Sequence, residues 1–248
     1  MTSKERQERI LEILEQQGYV TVKHLIGELK YSSATINRDL NALEAQQLVI
    51  RNYGGVEPVR TQYVPILFRA HQMHTVKKRI GRAAAAFVQD GDMIYIDSST
   101  TAQCMAPYII GKKDLTVITN NILLAADLAA QRVKVICLGG SVVEAPCMLC
   151  GTETVQNAAR YRVDKMFFST GAITEDGLIS AGIYDLLFKT IASNSAKIFY
   201  LVDHNKINKS FQTIFCDFSE VDYVISDHEF PDEIKKRYSK TAFVLANE

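Results

Sequence analysis

Four short polar stretches, each at the end of an apolar run, carry residues that could hold a ligand. They are Asp97-Ser98-Ser99-Thr100-Thr101, Thr119-Asn120-Asn121, Gly139-Gly140-Ser141 and Asp203-His204-Asn205-Lys206. Hydroxyls and backbone N–H groups at the start of a helix suit a phosphate or another small anion, because the helix dipole and the unpaired donors both face it. Lys206 would add a compensating cation, and Asp203 an acceptor for sugar hydroxyls. Serine, threonine and glycine end strands in many α/β proteins, so one such loop says little. Four on one rim point to a pocket.

A fifth stretch, residues 31–44, suits different chemistry. Ser32 or Ser33 can cap a helix whose apolar Ile36, Leu40 and Leu43 fall on one face, leaving Ser33, Thr35, Asn37, Arg38 and Asn41 on the other. Asparagine suits adenine and arginine suits guanine in the major groove, while serine and threonine suit phosphate oxygens. Taken alone, a solvated surface helix explains the stretch equally well.

The elements around it decide between the two. A helix over residues 4–17 stops at Gly18, Thr21 can cap a second helix over 22–29, and only Lys30 and Tyr31 separate that helix from the capping serines. Two short helices joined by so tight a turn form a helix-turn-helix, whose second helix enters the groove. Residues 48–51 then run apolar into Arg51, and Asn52-Tyr53-Gly54-Gly55 supplies turn chemistry. This predicts a β-wing with Arg51 near the DNA backbone.

The 248 residues allow two domains, and 47% hydrophobic with 23% charged residues is ordinary for a soluble protein. No stretch is long and apolar enough to span a membrane and the N-terminus lacks a signal-peptide pattern, which points to the cytoplasm. A net charge of +0 does not itself suggest nucleic acid, and residues 1–57 hold seven bases against eight acids. Distribution matters more: Glu5, Glu8, Glu12 and Glu15 crowd onto the first helix, whereas Lys30, Arg38 and Arg51 surround the contact face. Few phosphate contacts per protomer then imply that DNA affinity relies on a homo-oligomer.

Five cysteines give no disulfide framework, and Cys147-Met-Leu-Cys150 is a lone pair without a second pair at ligand spacing. His71 and His74 have no acidic partner nearby. Neither a metal nor a cofactor is expected.

Residues 56–65, with Pro58 and Pro65, form a connector, and a long helix is expected over 66–88, packing one domain against the other. The resulting division is 1–57 for the DNA-binding domain, 58–75 for the linker and start of the connecting helix, and 76–248 for effector binding and oligomerisation. In the last part, apolar runs at 93–96, 115–118, 133–138, 165–168, 198–202, 223–225 and 242–245 alternate with helical stretches at 102–110, 121–131, 153–161 and 184–196. That alternation predicts an α/β fold, a mostly parallel sheet with helices on both faces and ligands at the C-terminal strand ends.

Residues 6–55, from the Arg6 helix through Thr35-Ile36-Asn37-Arg38-Asp39-Leu40 to the wing, resemble the N-terminal domain of the DeoR family of bacterial transcriptional regulators. Asn37 stands where that family usually has arginine or histidine. The resemblance continues through residues 97–101, Thr119-Asn120, Gly139-Gly140, Gly171 with Gly177, Lys189, and Asp203 with Lys206, which match the family's C-terminal effector domain. It implies a fold similar to sugar-phosphate isomerases, with the hydroxyl-rich loop holding the phosphate of a sugar metabolite. Ser99 replaces a usual glycine, and Asp185 a common glutamate. The implied function is repression of a sugar or sugar-alcohol catabolic operon by a dimer or tetramer on double-stranded operator DNA, controlled by that metabolite.

An isomerase with an accessory DNA-binding domain is the rival. Aldose-ketose isomerisation needs a general base and a carbonyl-polarising group. Asp97, Asp185, Asp203 and Lys206 qualify by type, but no tight pairing of acids or glycine-lysine loop accompanies them, and no catalytic residue is assigned.

Overall fold

In a computed structural model, residues 2–46, 48–52, 54–58, 73–143, 148–181, 185–210 and 213–247 are described, apart from the side chains of Lys4, Glu15, Gln16, Ala181, Asp185 and Thr213. Two compact units emerge, Met1–His74 and Thr75–Glu248. Residues 59–72, Tyr53, Cys147 and His71 lie outside the described residues, and with them most of the expected connector and the first turns of the expected 66–88 helix.

The first unit begins with a reciprocal cap. Thr2 accepts from the Glu5 backbone while Glu5 takes the Thr2 N–H, which starts α1 (Ser3–Gln17). Gly18, at φ 72°, ends it. After β1 (Val20–Thr21), the Thr21 hydroxyl caps α2 (Val22–Leu29), and Lys30 turns the chain in the left-handed region at φ 55°. Ser32, rather than Ser33, caps α3 (Ser33–Ala45) through the Thr35 N–H. Ile10, Leu14, Leu25, Ile36, Leu40 and Leu43 are buried together with Leu48 and Val56. The wing, β2 (Val49–Asn52) paired antiparallel with β3 (Gly55–Pro58), gains a strand that the sequence pattern did not reveal, because β1 pairs with β3.

One polar contact crosses this core. Arg6 of α1 and Asp39 of α3 form a bidentate ion pair, with Nη2 3.1 Å from Oδ1, and are only 8% and 1% exposed. Ser3 Oγ donates to the same carboxylate at 2.8 Å, and the guanidinium lies 4.6 Å over the Tyr31 ring. Burial alone would raise the Asp39 pKa, but the bonds from Arg6, Ser3 and Gln7 hold it below the ordinary carboxylate value.

The second unit is built on seven parallel strands, and every apolar run of the sequence supplies one. They are β4 (Met93–Ile96), β5 (Thr116–Thr119), β6 (Lys134–Cys137), β9 (Val163–Phe168), β12 (Ser195–Val202), β14 (Tyr223–Ser226) and β15 (Ala242–Leu245), in the order β15-β14-β12-β9-β4-β5-β6. Chain order runs outward from β4 through β5 to β6, then returns to β9 on the other side of β4. The sheet therefore has its switch point between β4 and β9, where α/β folds open a ligand crevice.

Strand alternation divides the core between two faces. Ile94, Ile96, Phe167, Phe199 and Leu201 pack under α4 (His74–Ala85), α5 (Thr100–Gln103), α6 (Ala106–Ile109) and α7 (Ile122–Ala130). Tyr95, Met166, Phe168, Tyr200 and Val202 meet α8 (Thr152–Ala158), α9 (Asp185–Ser193) and α10 (Asp232–Arg237) on the other face. Phe167, Phe199 and Tyr223 stack across three adjacent strands, with centroids 4.7 and 4.5 Å apart.

Several helix expectations need correction. Met73 is left-handed at φ 55°, so α4 begins at His74, and its apolar residues Ile80, Ala84 and Ala85 join the core of the second unit. The helix expected over 102–110 is two single turns, because Pro107 near the start of α6 offers no N–H to a preceding turn. The one expected over 184–196 stops at Ser193, since Ser195 and Ala196 already belong to β12. The sequence also concealed a hairpin of β7 (Ser141–Val143) with β8 (Met148–Cys150), and a small antiparallel sheet of β10 (Ala172–Ile173), β11 (Leu178–Ala181) and β13 (Thr213–Asp217). No helix among the described residues is long and apolar enough to cross a membrane.

Asp39→Ala leaves Arg6 buried without its partner and should cost the first unit about 3 kcal/mol. Because the folded pKa of Asp39 is depressed, its stabilisation is present above the unfolded value of about 4 and is lost as pH falls through the folded value. Urea unfolding followed by circular dichroism at pH 7 and pH 3 checks both: the wild-type advantage over the variant should shrink at pH 3.

Candidate functional site

Three adjacent strands, β4, β9 and β12, end in Asp97, Ser169 and Asp203. The Ser169 N–H donates to Asp97 Oδ2 at 3.1 Å, a bond that crosses the switch point. Asp97 Oδ1 accepts from the Ser99 N–H at 3.0 Å and from the Ser99 hydroxyl. Burial raises the Asp97 pKa to about 6, against the lowering effect of these donors and of Lys206.

Two lysines supply positive charge. Lys206 Nζ donates to Thr101 Oγ1 at 3.0 Å and to Ser169 Oγ at 2.8 Å. Lys77 of α4, only 3% exposed, donates to Thr100 Oγ1 at 3.1 Å. A hydroxyl that accepts from an ammonium keeps its own proton to donate, so Thr101 and Ser169 each retain a donor in this cluster. Asp203 Oδ2, 2% exposed as a residue, stands 3.3 Å from Lys206 Nζ but is not aligned for a hydrogen bond with it or with any described partner. That leaves a buried acceptor directed into the cluster, suited to a ligand hydroxyl.

The structure treats the sequence-derived candidates unequally. Asp97, Ser99, Thr100, Thr101, Asp203 and Lys206 come together as expected. Ser99 sits at φ −71°, ψ 145° and caps α5, so serine fits there without the conformational freedom of glycine. The helix it caps is a single turn, and the two lysines, not a helix dipole, provide the positive charge. Ser98 is half-buried and joins none of the bonds described.

The polar residues at the ends of β5 and β6 make their bonds elsewhere. The Thr119 hydroxyl accepts from the Asn121 N–H, while the Asn120 amide accepts from Tyr95 OH at 2.9 Å and donates to Leu149 O at 3.1 Å. Gly139 and Gly140, at φ 71° and 114°, turn the chain into β7, and a Cβ on Gly140 would stand 2.1 Å from Thr154 Oγ1. These residues hold the β7–β8 hairpin in place. Lys189 stands exposed on α9, outside the bonds described for the cluster, and the side chain of Asp185 lies outside the described residues.

Two participants were missed. Ser169 ends β9 just as the other polar loops end their strands. Lys77 falls on the apolar stripe of α4 with Ile80, Gly81, Ala84 and Ala85, spacing at which a buried cation is anomalous.

On the first unit, Ser32, Ser33, Thr35, Asn37, Arg38 and Arg51 all lie at or beside the outward face of α3. Arg38 is exposed. The Asn37 amide donates to Ser33 O at 2.9 Å, and the Arg51 guanidinium, reaching from β2, donates to both Asn37 Oδ1 and Asn41 Oδ1. Arg51 thus joins the wing to the recognition helix, while the Ser32 and Thr35 hydroxyls bond each other at 2.9 Å. Among the described residues, no group of His, Cys, Asp and Glu is placed to hold a metal.

A winged helix-turn-helix unit joined in one chain to an α/β unit with a charged polar site at its switch point has the build of a ligand-sensing transcription factor. Residues 6–62 match the DeoR-like helix-turn-helix domain and residues 72–228 the DeoR C terminal sensor domain. The chain belongs to the DeoR family of DNA-binding transcriptional repressors. It is 32% identical to the HTH-type transcriptional repressor GlcR of Bacillus subtilis, over 92% of this chain and 89% of that one. It is 29% identical to the glycerol-3-phosphate regulon repressor of Escherichia coli, over 92% of each. With the lactose phosphotransferase system repressor of Staphylococcus aureus it shares 30% identity, over 97% of this chain and 98% of that one. The ribose 5-phosphate isomerase of Plasmodium falciparum matches at a TM-score of 0.41 and 17% identity, over 54% of this chain and 53% of that one, a likeness too low to speak to activity.

Because the folded pKa of Asp97 is raised to about 6 from a model-peptide value near 4, the second unit should lose stability as pH rises from about 4 to 6, and stay lower above that. A rise of about two units corresponds to about 3 kcal/mol. Asp97→Asn removes this titration, so denaturant unfolding should show the variant gaining on the wild type by that order between pH 4 and pH 7, whatever its hydrogen bonds cost at a single pH.

Proposed function

We propose that this repressor binds operator DNA as a homo-oligomer through α3 and the wing, and that a phosphorylated sugar or sugar-alcohol metabolite bound at the β4/β9 switch point controls that binding. The observation that carries the proposal is the pair of lysines, Lys77 and Lys206, donating to the Thr100, Thr101 and Ser169 hydroxyls, with the Asp203 carboxylate oxygen left for a ligand hydroxyl. Such a site offers positive charge and hydroxyl donors to a phosphate, and an acceptor to the carbon chain attached to it. The names of the relatives, a glycerol-3-phosphate regulon repressor and a lactose phosphotransferase system repressor, support this ligand class.

Paired recognition helices in a dimer or tetramer would meet half-sites about one helical turn apart, roughly 34 Å, or a multiple of it. The metabolite shifts DNA affinity only through its differential affinity for the arrangements of the oligomer. A second, enzymatic function finds less support. Burial pushes Asp97 up to about 6, yet its two oxygens already accept from Ser99 and Ser169, which leaves it poorly placed to take a proton from a substrate.

Fluorescence anisotropy on DNA from upstream of the chain's own operon, at two salt concentrations and with a panel of triose, pentose and hexose phosphates, tests the proposal. One phosphate should shift specific binding without being turned over. No shift with any member would remove the metabolite from the reading, and isomerisation of a member would restore the enzyme. Lys206→Ala should keep DNA affinity and weaken the active phosphate at least about tenfold. Arg38→Ala should cost about 1 to 3 kcal/mol of operator binding and relax preference at one base pair. An unchanged profile across operator variants would remove Arg38 from base readout.

A further inference from the structure

Lys77 and Gly81 lie one turn apart on the buried face of α4, and both meet the segment that begins with the site hydroxyls. Lys77 Nζ donates to Thr100 Oγ1 at 3.1 Å. Gly81 lies so close to the next turn of that segment that a Cβ would stand 2.6 Å from the Cys104 carbonyl carbon, 2.7 Å from its oxygen and 2.9 Å from the Met105 nitrogen. Helix α4 is therefore seated on residues 100–105 at two points, one a charged hydrogen bond and the other backbone against backbone. At Gly81 no side chain intervenes to absorb a shift by changing rotamer, and packed interiors transmit such displacements. Ile80, Ala84 and Ala85 continue the same seating into the core.

The other end of α4 is where the chain leaves the second unit. The helix begins at His74, the last residue of the first unit, and Met73 before it takes a left-handed backbone at φ 55°. Such a residue does not continue an α-helix, which makes His74 a sharp start for α4. Lys77 is within one turn of that boundary.

We propose that Lys77 and Gly81 make α4 the output element of the sensor site. An anion bonded to the Thr100, Thr101 and Ser169 hydroxyls takes Lys77 as a further ligand, and α4 moves with the segment on which it is seated. The displacement appears at His74, where the chain leads back to the DNA-binding unit. This assignment rests on the anion-binding reading of the site, and carries its signal along one stiff helix as far as His74.

Hydrogen exchange with mass spectrometry on the full-length protein tests it, using inorganic phosphate as the probe against sodium chloride of equal ionic strength. In the wild type, saturating phosphate should slow exchange both at 99–105 and at 74–85. Lys77→Met, checked for native circular dichroism, removes one ligand of the anion and is therefore compared at phosphate raised to its own saturation, where it should still slow exchange at 99–105 but no longer at 74–85, a change of about fivefold or more in the helix. Gly81→Ala, which forces α4 off the Cys104–Met105 peptide, should speed exchange at 74–85 before phosphate is added. Slowing at 99–105 alone in the wild type overturns the role of α4 and leaves the anion site standing, whereas slowing in neither segment overturns both. A Lys77→Met protein that still protects its helix removes Lys77 from the route, and unchanged basal exchange in Gly81→Ala removes Gly81.

Discussion

A parallel sheet that reverses its order of growth leaves one seam where the loops after two neighbouring strands run apart, and the second unit depends on what fills it. Here the seam lies between β4 and β9, and the half-buried Asp97 carboxylate closes it by accepting the Ser169 N–H from across the gap. Asp97 also accepts from Ser99 and lies beside Lys206, which reaches in from the neighbouring β12 end to the Thr101 and Ser169 hydroxyls. A carboxylate so desolvated is costly, which is why its pKa is raised to about 6. Lys206 answers both carboxylates, lying 3.3 Å from Asp203 Oδ2 and lowering the pKa of Asp97, while Lys77 adds a second cation through Thr100.

The first unit uses charge in a related way. Arg6 and Asp39 fix the inner side of α3 against α1 with a desolvated, hydrogen-bonded pair, whose value lies more in orientation than in net stability. On the outer side, Arg51 bonds to Asn37 and Asn41. The asparagine that replaces the family's usual arginine or histidine is thus engaged at both ends of its amide, by Ser33 and by Arg51. A base contact by Asn37 exchanges an intramolecular bond for one to DNA, which lowers its net gain. Arg38, exposed on the same face, has no described bond to give up.

How legible each element was followed from how its residues are buried. The inner strands of the large sheet are covered on both faces, so each holds a short, nearly continuous apolar run, and the partly exposed edge strands β6 and β15 keep enough of that character to be visible in one dimension. The strands of the β7–β8 hairpin and the small antiparallel sheet are two to five residues long and mixed in polarity, with Ser141 and Val142 exposed, and leave no comparable trace. Helix starts were legible where a side chain makes the cap, as at Thr21, Ser32 and Asn121. They were lost where backbone geometry decides, as at Met73, whose left-handed turn no side-chain rule announces.

The amino-acid pattern by itself determined the winged helix-turn-helix, the α/β class, the polar strand ends and the family, because caps, apolar periodicity and loop chemistry act between residues close in the chain. Only the tertiary structure decided which of those polar ends meet. Asp97, Ser169 and Asp203 belong together because strand order brings β4, β9 and β12 side by side, while Asn120 and Gly140, similar in type, are drawn off to support a hairpin. It also decided that Lys77 points at Thr100 and that Arg51 lies on Asn37. Such pairings join residues 23 and 14 positions apart in sequence. They arise from how elements pack, a property that local patterns do not encode.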